Sequence, residues 1–370
     1  MSVHNPNYGS MLQTYALHTF LTTHGIENEI ILYSKKKDWK QFVRLFNLPL
    51  VGMKSRMVFR DIYCKLFYPA IKKQLEERIV KFDGFKRKYF HFSKNYVGWN
   101  ELITTNNDYD TFIIGSDQVW NPINIGTDFF NLLFTNDDKF RISYASSFGV
   151  SSIPSTQIKK TKHFLDRIQC LSTREIAGVK IIKDLTGRDA QLVCDPTLLF
   201  DAKGWEQMLP KKKVVEEPYV FCYFLGTNEE HRKIANEFKN KTGLKLVTCP
   251  FLDNYVECDL NFGDIQLFDM DAADFVNLIR HAEYILTDSF HGSVFSILNH
   301  KKFMTFNRFN AGANSRNSRI DSLCTLLGLS ERRYRGDVMN VEKDINYNAV
   351  EEKLEKLRAD SIKYLETALK

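Results

Sequence analysis

The sequence predicts an α/β protein made of two doubly wound, Rossmann-like domains with parallel sheets. Three observations predict it. Apolar runs of strand length alternate with segments of helical apolar spacing. The runs end in small or polar residues, as strands do when their carboxyl ends deliver a ligand site. At 370 residues the chain exceeds one ordinary core and suits two domains.

In chain order, Asn7-Tyr8-Gly9-Ser10 precedes Met11, Leu12, Tyr15, Ala16, Leu17, Phe20 and Leu21, an amphipathic helical pattern stopped at Gly25. Asn7 or Ser10 can cap this helix, and Gly9 at its mouth lets a ligand approach the backbone closely. Glu29 to Tyr33 reads as a strand. A β-α-β unit needs a strand before this helix, yet only six residues precede Asn7, so the first strand is expected to be missing. Residues 35–94 read as an insertion, with Ile71, Leu75, Ile79 and Phe82 marking a helix. Strands follow at Tyr109–Ile114, Arg141–Ala145 and Gln191–Cys194, and a helix opens at Leu171 and reaches about Gly187. Residues 201–218, with Pro210, Lys211-Lys212-Lys213 and Pro218, read as a linker. A second series repeats the alternation, with strands at Tyr219–Phe224, Leu244–Thr248, Tyr284–Leu286 and Phe303–Phe306. The expected units are an N-terminal domain over 1–205, a C-terminal domain over 215–335 and a final helix within 340–370.

Composition narrows the class. Hydrophobic content of 44% with 26% charged residues is that of a soluble globular protein, and no run of about 18 apolar residues suggests a membrane span. The first residues carry no secretory pattern, and seven scattered cysteines without a C-x-x-C pair suit a reducing compartment. A cytoplasmic location is therefore expected. The net charge of +6 is uneven: residues 35–94 hold 17 Lys/Arg against 5 Asp/Glu, a local +12, and the remainder carries 34 against 40, or −6. The basic segment interleaves aromatics, so it reads either as a solvated helix face or as a surface for anionic lipid. No Gly-rich nucleotide loop stands out, and no nucleic-acid partner is expected.

The chemistry concentrates at Thr287-Asp288-Ser289-Phe290-His291-Gly292-Ser293, a strand-to-helix turn that gathers carboxylate, hydroxyl and imidazole beside a helix N-terminus. The bland alternative is that Asp288 or Ser289 only caps the helix. Ser116, Asp117 and Gln118 stand at another strand end, together with Trp120, whose alternative role is a core anchor.

Four blocks, Asn7 to Leu17, Ile114 to Pro122, Cys194 to Leu199 and Thr287 to Gly292, together resemble the polysaccharide pyruvyl transferase family. The resemblance implies a two-domain fold of the glycosyltransferase-B type. It also implies transfer of the enolpyruvyl group of phosphoenolpyruvate to a sugar, closing a pyruvate ketal on a precursor of exopolysaccharide or capsule. It implies no metal and no organic cofactor, phosphoenolpyruvate being a co-substrate, and an acceptor that is a lipid- or nucleotide-linked sugar. By position His291 is the proton-transfer residue, with Asp288 beside it. Ser289 and Phe290 stand where the better-characterised branch has Arg-Leu, so Arg308, Arg316 and Arg319 are the candidate replacements for the missing cation, joined by Gly292 and Ser293 on the donor side. Asn7, Tyr8, Gly9, Gln13, Ser116, Asp117 and Gln118 are the candidate acceptor wall. A nucleotide-sugar glycosyltransferase and a silent scaffold of polysaccharide assembly are the alternatives, and docking of 35–94 on the inner face of the cell membrane is a further expectation.

Overall fold

The computed structural model of the chain describes residues 7–36, 55, 58–59, 62–63, 65–123, 128–251, 255–308 and 317–370. Helix α1 (Tyr8–Thr23) starts where the Asn7 side chain accepts a hydrogen bond from the Ser10 N–H, and it ends at His24, with Gly25 following at a φ of 74°. Tyr8 through Leu17 are all buried, so α1 is not the half-exposed amphipathic helix its spacing predicts. It is enclosed because both halves of the molecule pack on it.

In the N-terminal half β1 (Ile30–Ser34) pairs in parallel with β2 (Phe92–Val97), and the basic segment forms the connection between them. That connection contains α2 (Pro69–Tyr89), whose buried residues are Leu75, Arg78, Phe82 and Phe85. Ile79, expected on the buried stripe, is exposed, and the Arg78 guanidinium takes the inward place. It donates to the carbonyl oxygens of Pro250 at 3.0 Å and Phe251 at 3.3 Å, and to that of Phe268, which pins α2 to the other half. After α3 (Trp99–Ile103), β3 (Thr111–Ile114) pairs in parallel with β4 (Phe140–Ser143). Then come α4 (Ile158–Asp166) and β5 (Ser172–Thr173), followed by α5 (Ile176–Thr186) and β6 (Gln191–Leu192), which pairs with β5. Parallel bridges from Ile142 to Cys170 and from Ser146 to Thr173 join β4 to β5. The helix expected from Leu171 therefore begins only at Ile176, because Ser172 and Thr173 pair with Gln191 and Leu192.

Among the described residues β1 and β3 are not hydrogen-bonded to each other. A cavity of about 160 Å³ lies between them, lined by Leu17, Leu21, Ile30, Ile113, Phe129 and Leu132 among others. The expected missing strand concerns the segment before Asn7, and residues 1–6 are outside the described residues.

The C-terminal half opens with α6 (Ala202–Met208), a helix inside the stretch expected as linker, held by the buried Trp205 against Tyr15 and Phe295. Next in the chain are β7 (Tyr219–Tyr223), α7 (Glu229–Thr242), β8 (Lys245–Thr248), β9 (Ile265–Gln266), α8 (Ala272–His281) and β10 (Tyr284–Thr287). After these come α9 (Phe290–Leu298), β11 (Lys302–Thr305) and α10 (Ser318–Leu327). The five strands form one parallel sheet in the order β11-β10-β7-β8-β9. Every residue of β7 is buried, as in a parallel strand covered on both faces. Strand order reverses between β7 and β10, and the crevice at such a point is where open α/β sheets place ligands. The last helix, α11 (Tyr347–Ala368), returns to the N-terminal half. Its Ser361 Oγ accepts from the Cys194 N–H at 2.8 Å, and its Tyr364 hydroxyl donates to the Ser143 carbonyl at 2.9 Å.

Candidate active site

The turn from β10 into α9 faces the start of α1, and the contact is between His291 and Gly9. A Cβ placed on Gly9 would stand 2.0 Å from His291 Nδ1, so only a residue without a side chain leaves room for the imidazole. The space expected at Gly9 for a ligand is taken instead by this ring. His291 itself is 7% exposed. Its Nε2 stands 3.7 Å from Asp195 Oδ1, within ion-pair range but too far for a hydrogen bond, and Nε2 has no hydrogen-bond partner among the described residues.

Asp195 follows β6 and is fully enclosed. Its Oδ1 accepts from the Thr197 hydroxyl at 2.6 Å and the Thr197 N–H at 3.1 Å, and its Oδ2 accepts from Ser116 Oγ at 2.8 Å and from Arg174 Nη1. Burial alone would raise its carboxyl, but the Arg174 guanidinium, His291 and Thr197 outweigh burial and hold it well below the usual carboxylate range. Arg174, just after β5, lies with its guanidinium 4.5 Å from the centre of the Phe290 ring. Its Nε and Nη2 are buried without a hydrogen bond among the described residues. Arg319 of α10 approaches the same ring at 5.8 Å, and burial first, then the like charge of Arg174, push its guanidinium down to about 9. Asp117, at a left-handed φ of 85°, sits close by with Oδ1 3.7 Å from Arg174 Nη2 and Oδ2 accepting from Ser10 Oγ at 2.6 Å. Burial raises the Asp117 carboxyl, and Arg174, His291 and the Ser10 hydroxyl more than reverse it. In the orientation that satisfies its neighbours, the Gln118 carboxamide oxygen accepts from the Arg319 guanidinium.

The site so assembled draws Gly9, Ser10, Ser116, Asp117, Gln118, Arg174 and Asp195 from the N-terminal half, and Phe290, His291 and Arg319 from the other. Other predicted residues go elsewhere. Asp288 does not turn to the imidazole: its two oxygens accept from the N–H groups of Leu225 at 2.7 Å and Gly226 at 2.8 Å, the turn after β7. Burial raises its carboxyl against the pull of Arg308 and those two N–H groups. Arg308, after β11, packs against the same turn, donating to the Leu225 carbonyl at 3.4 Å. Ser289 caps α9 through the Gly292 N–H at 3.2 Å, and Ser293 Oγ donates to the Ser289 carbonyl at 3.0 Å, so the donor groups expected here serve the helix itself. Gly292 packs on Thr287, with no room for a Cβ. Arg316 lies outside the described residues.

On the acceptor side, Asn7 is the cap of α1, and Gln13 is enclosed, donating to the Ser10 carbonyl and Thr14 Oγ. Tyr8 is fully buried, stacked between Phe82 at 5.0 Å and Phe275 at 5.2 Å, and has no open face for a sugar. Trp120 is a core anchor against Phe148 and Phe164. Spacing in the sequence did not expose Arg174 or Asp195 as site residues. The strand end at Cys194-Asp195-Pro196-Thr197 and the block Cys194 to Leu199 were the signals available for Asp195, and Arg174 was hidden in a stretch with helical spacing. Among the described residues no group of three His, Cys, Asp or Glu side chains is placed to hold a metal ion.

A family model described as polysaccharide pyruvyl transferase matches residues 7–308. No curated protein matches the chain in sequence. Among solved structures, the chain is similar to a UDP-GlcNAc 2-epimerase from Methanocaldococcus jannaschii, with 11% identity over 94% of this chain and 96% of that one and a TM-score of 0.47. It is also similar to the UDP-GlcNAc 2-epimerase from Neisseria meningitidis bound to UDP-GlcNAc, at 9% identity over 95% and 98% with a TM-score of 0.44. The glycosyltransferase SnogD from Streptomyces nogalater is similar at 12% identity over 99% and 96%, with a TM-score of 0.44.

Proposed function

The chain belongs to the polysaccharide pyruvyl transferase family, and on that premise we propose that it transfers the pyruvyl group of phosphoenolpyruvate to a sugar of a cell-surface polysaccharide precursor, closing a pyruvate ketal. The observation that supports this reading is an imidazole and two arginines buried together with unused hydrogen-bonding capacity. His291 Nε2 and two nitrogens of Arg174 make no hydrogen bond among the described residues, and Arg319 is held beside Arg174 despite their like charge. A phosphate or carboxylate placed between the arginines would relieve that repulsion, and guanidinium forks suit both groups.

In the proposed reaction the His291 imidazolium gives its proton to the methylene carbon of the donor, which leaves oxocarbenium character at the carbon bearing the phosphate. A sugar hydroxyl bonds to that carbon, and its proton passes to the now neutral imidazole. A second hydroxyl then bonds to the same carbon as the bond to the phosphate oxygen breaks, its proton passes to the departing phosphate, and hydrogen phosphate leaves. Asp195, kept ionised by Arg174 and its hydroxyl donors, places a fixed negative charge 3.7 Å from His291 Nε2. Asp117, Gln118 and Ser10 line the acceptor side. Because His291 is closed over by Gly9, the donor enters when the two halves part at that contact.

Phosphate release from phosphoenolpyruvate, assayed with lipid- or nucleotide-linked sugars, tests the reading. His291→Ala should lower turnover by about 10²- to 10⁴-fold with the fold retained. Near-wild-type release by the variant would remove His291 from the reaction. Binding of a sugar nucleotide without phosphate release from phosphoenolpyruvate would favour a glycosyltransferase, and no turnover of any donor would favour a scaffold.

A further inference from the structure

Seven of the twelve large apolar side chains exposed among the described residues fall between positions 58 and 80, inside the segment of local charge +12. Val58, Phe59, Ile62, Leu66 and Phe67 are 54–69% exposed and recur every three to four residues where the backbone is helical. Phe59, Tyr63 and Phe67 form a ladder four residues apart, with ring centres 5.7 and 4.8 Å from one to the next. Tyr63 also rests on Tyr255 at 4.7 Å, which ties the ladder to the body of the protein. Exposed basic residues lie on the same segment, Lys65 within the ladder and Lys73, Arg87 and Lys88 along α2.

We propose that this segment docks the protein on an anionic lipid bilayer, the apolar ladder entering the headgroup boundary and the lysines and arginines meeting lipid phosphates. Stable peripheral binding needs two signals, an inserted apolar group and a basic patch, and both are present on one segment. A second copy of the chain is the poorer occupant, since joining two such faces would bring two local charges of +12 together. A nucleic acid would use the basic residues but would leave Val58, Ile62 and Leu66 without a role. The attachment reaches the catalytic region through α2, where Arg78 holds the C-terminal half and Phe82 stacks on Tyr8, next to Gly9.

The test is co-sedimentation of the full chain with vesicles, which reads binding independently of any pyruvyl chemistry. Binding is expected to vesicles of phosphatidylglycerol and phosphatidylcholine, to fade in high salt, and to be absent with phosphatidylcholine alone. The triple variant Phe59→Ser, Leu66→Ser, Phe67→Ser should bind at least about tenfold more weakly. Lys73→Gln and Arg87→Gln should each cost about fivefold, which gives a second reading should the triple variant fold poorly. Equal binding to neutral vesicles, no binding to either, or binding unchanged in the variants would overturn the proposal. So would a wild-type dimer in sedimentation velocity that the serine variant breaks while vesicles capture neither protein.

Discussion

Two buried aspartates stand at the ends of parallel strands, one in each half, and their surroundings make them opposites. Asp195 meets a guanidinium, an imidazole and two hydroxyls, and its carboxyl is driven down. Asp288 meets two backbone N–H groups of the next strand's turn, and burial drives its carboxyl up. The comparison teaches that closeness to His291 in sequence does not select its partner. Asp288, three residues away, ties β10 to β7 and shapes the turn that carries the histidine, whereas Asp195, 96 residues earlier, faces the ring.

Removing each charge in turn should break the comparison open. Asp195→Asn leaves the Arg174 guanidinium buried beside a neutral group, which should cost about 3–5 kcal/mol of stability in chemical denaturation. Turnover of the folded fraction should fall by about 10²-fold or more. Gly9→Ala tests the other wall of the same site. Its methyl group would force the imidazole out of its present position, and a displacement of about 1 Å is enough for roughly a 10²-fold loss in turnover, with about 1–3 kcal/mol of destabilisation from overpacking. Asp288→Asn should act on the fold instead. The amide can accept from one of the two N–H groups but confronts the other with its NH₂, for about 1–3 kcal/mol of destabilisation and a pH profile like that of the wild type.

The smallest expected effect is in acid, and it differs in sign between the two sites. Asp195, with its folded pKa depressed, contributes stability above its unfolded value of about 3.9 and loses it only as pH falls through the lower folded value. Asp288, with its folded pKa raised, carries a penalty above that raised value, and the penalty is relieved as pH falls through it toward about 3.9. Melting temperature followed from near-neutral pH down to about 4 should therefore drop more steeply in Asp288→Asn than in the wild type. Equal slopes would mean that the two aspartates do not differ in the way their partners require.

The fold class was legible because strand-length apolar runs and helix signals are local, and so was the β10–α9 turn, where an apolar run, a serine cap and a histidine lie within eleven residues. The partner of the histidine was not legible, since which strand ends meet is decided by sheet order and by the contact of two halves. Arg174 was missed for a related reason: a two-residue strand is held by its neighbours, and its own sequence, Leu171-Ser172-Thr173, carries no run long enough to announce it. The stripe of α2 misled in the reverse direction, because the arginine that turns inward finds four backbone carbonyls, those of Pro250, Phe251, Leu267 and Phe268.

The enclosure of α1 has a consequence for how the protein is made. This helix is made well before the later elements of the chain that cover it. Tyr15 waits for Trp205, and Tyr8 waits for Phe275. At elongation rates of roughly 5–20 residues per second, the interval between Tyr8 and Phe275 is on the order of tens of seconds. Through that interval an apolar helix with no finished binding partner is exposed in the cell, so the nascent chain should be a substrate for holding chaperones until α8 has emerged.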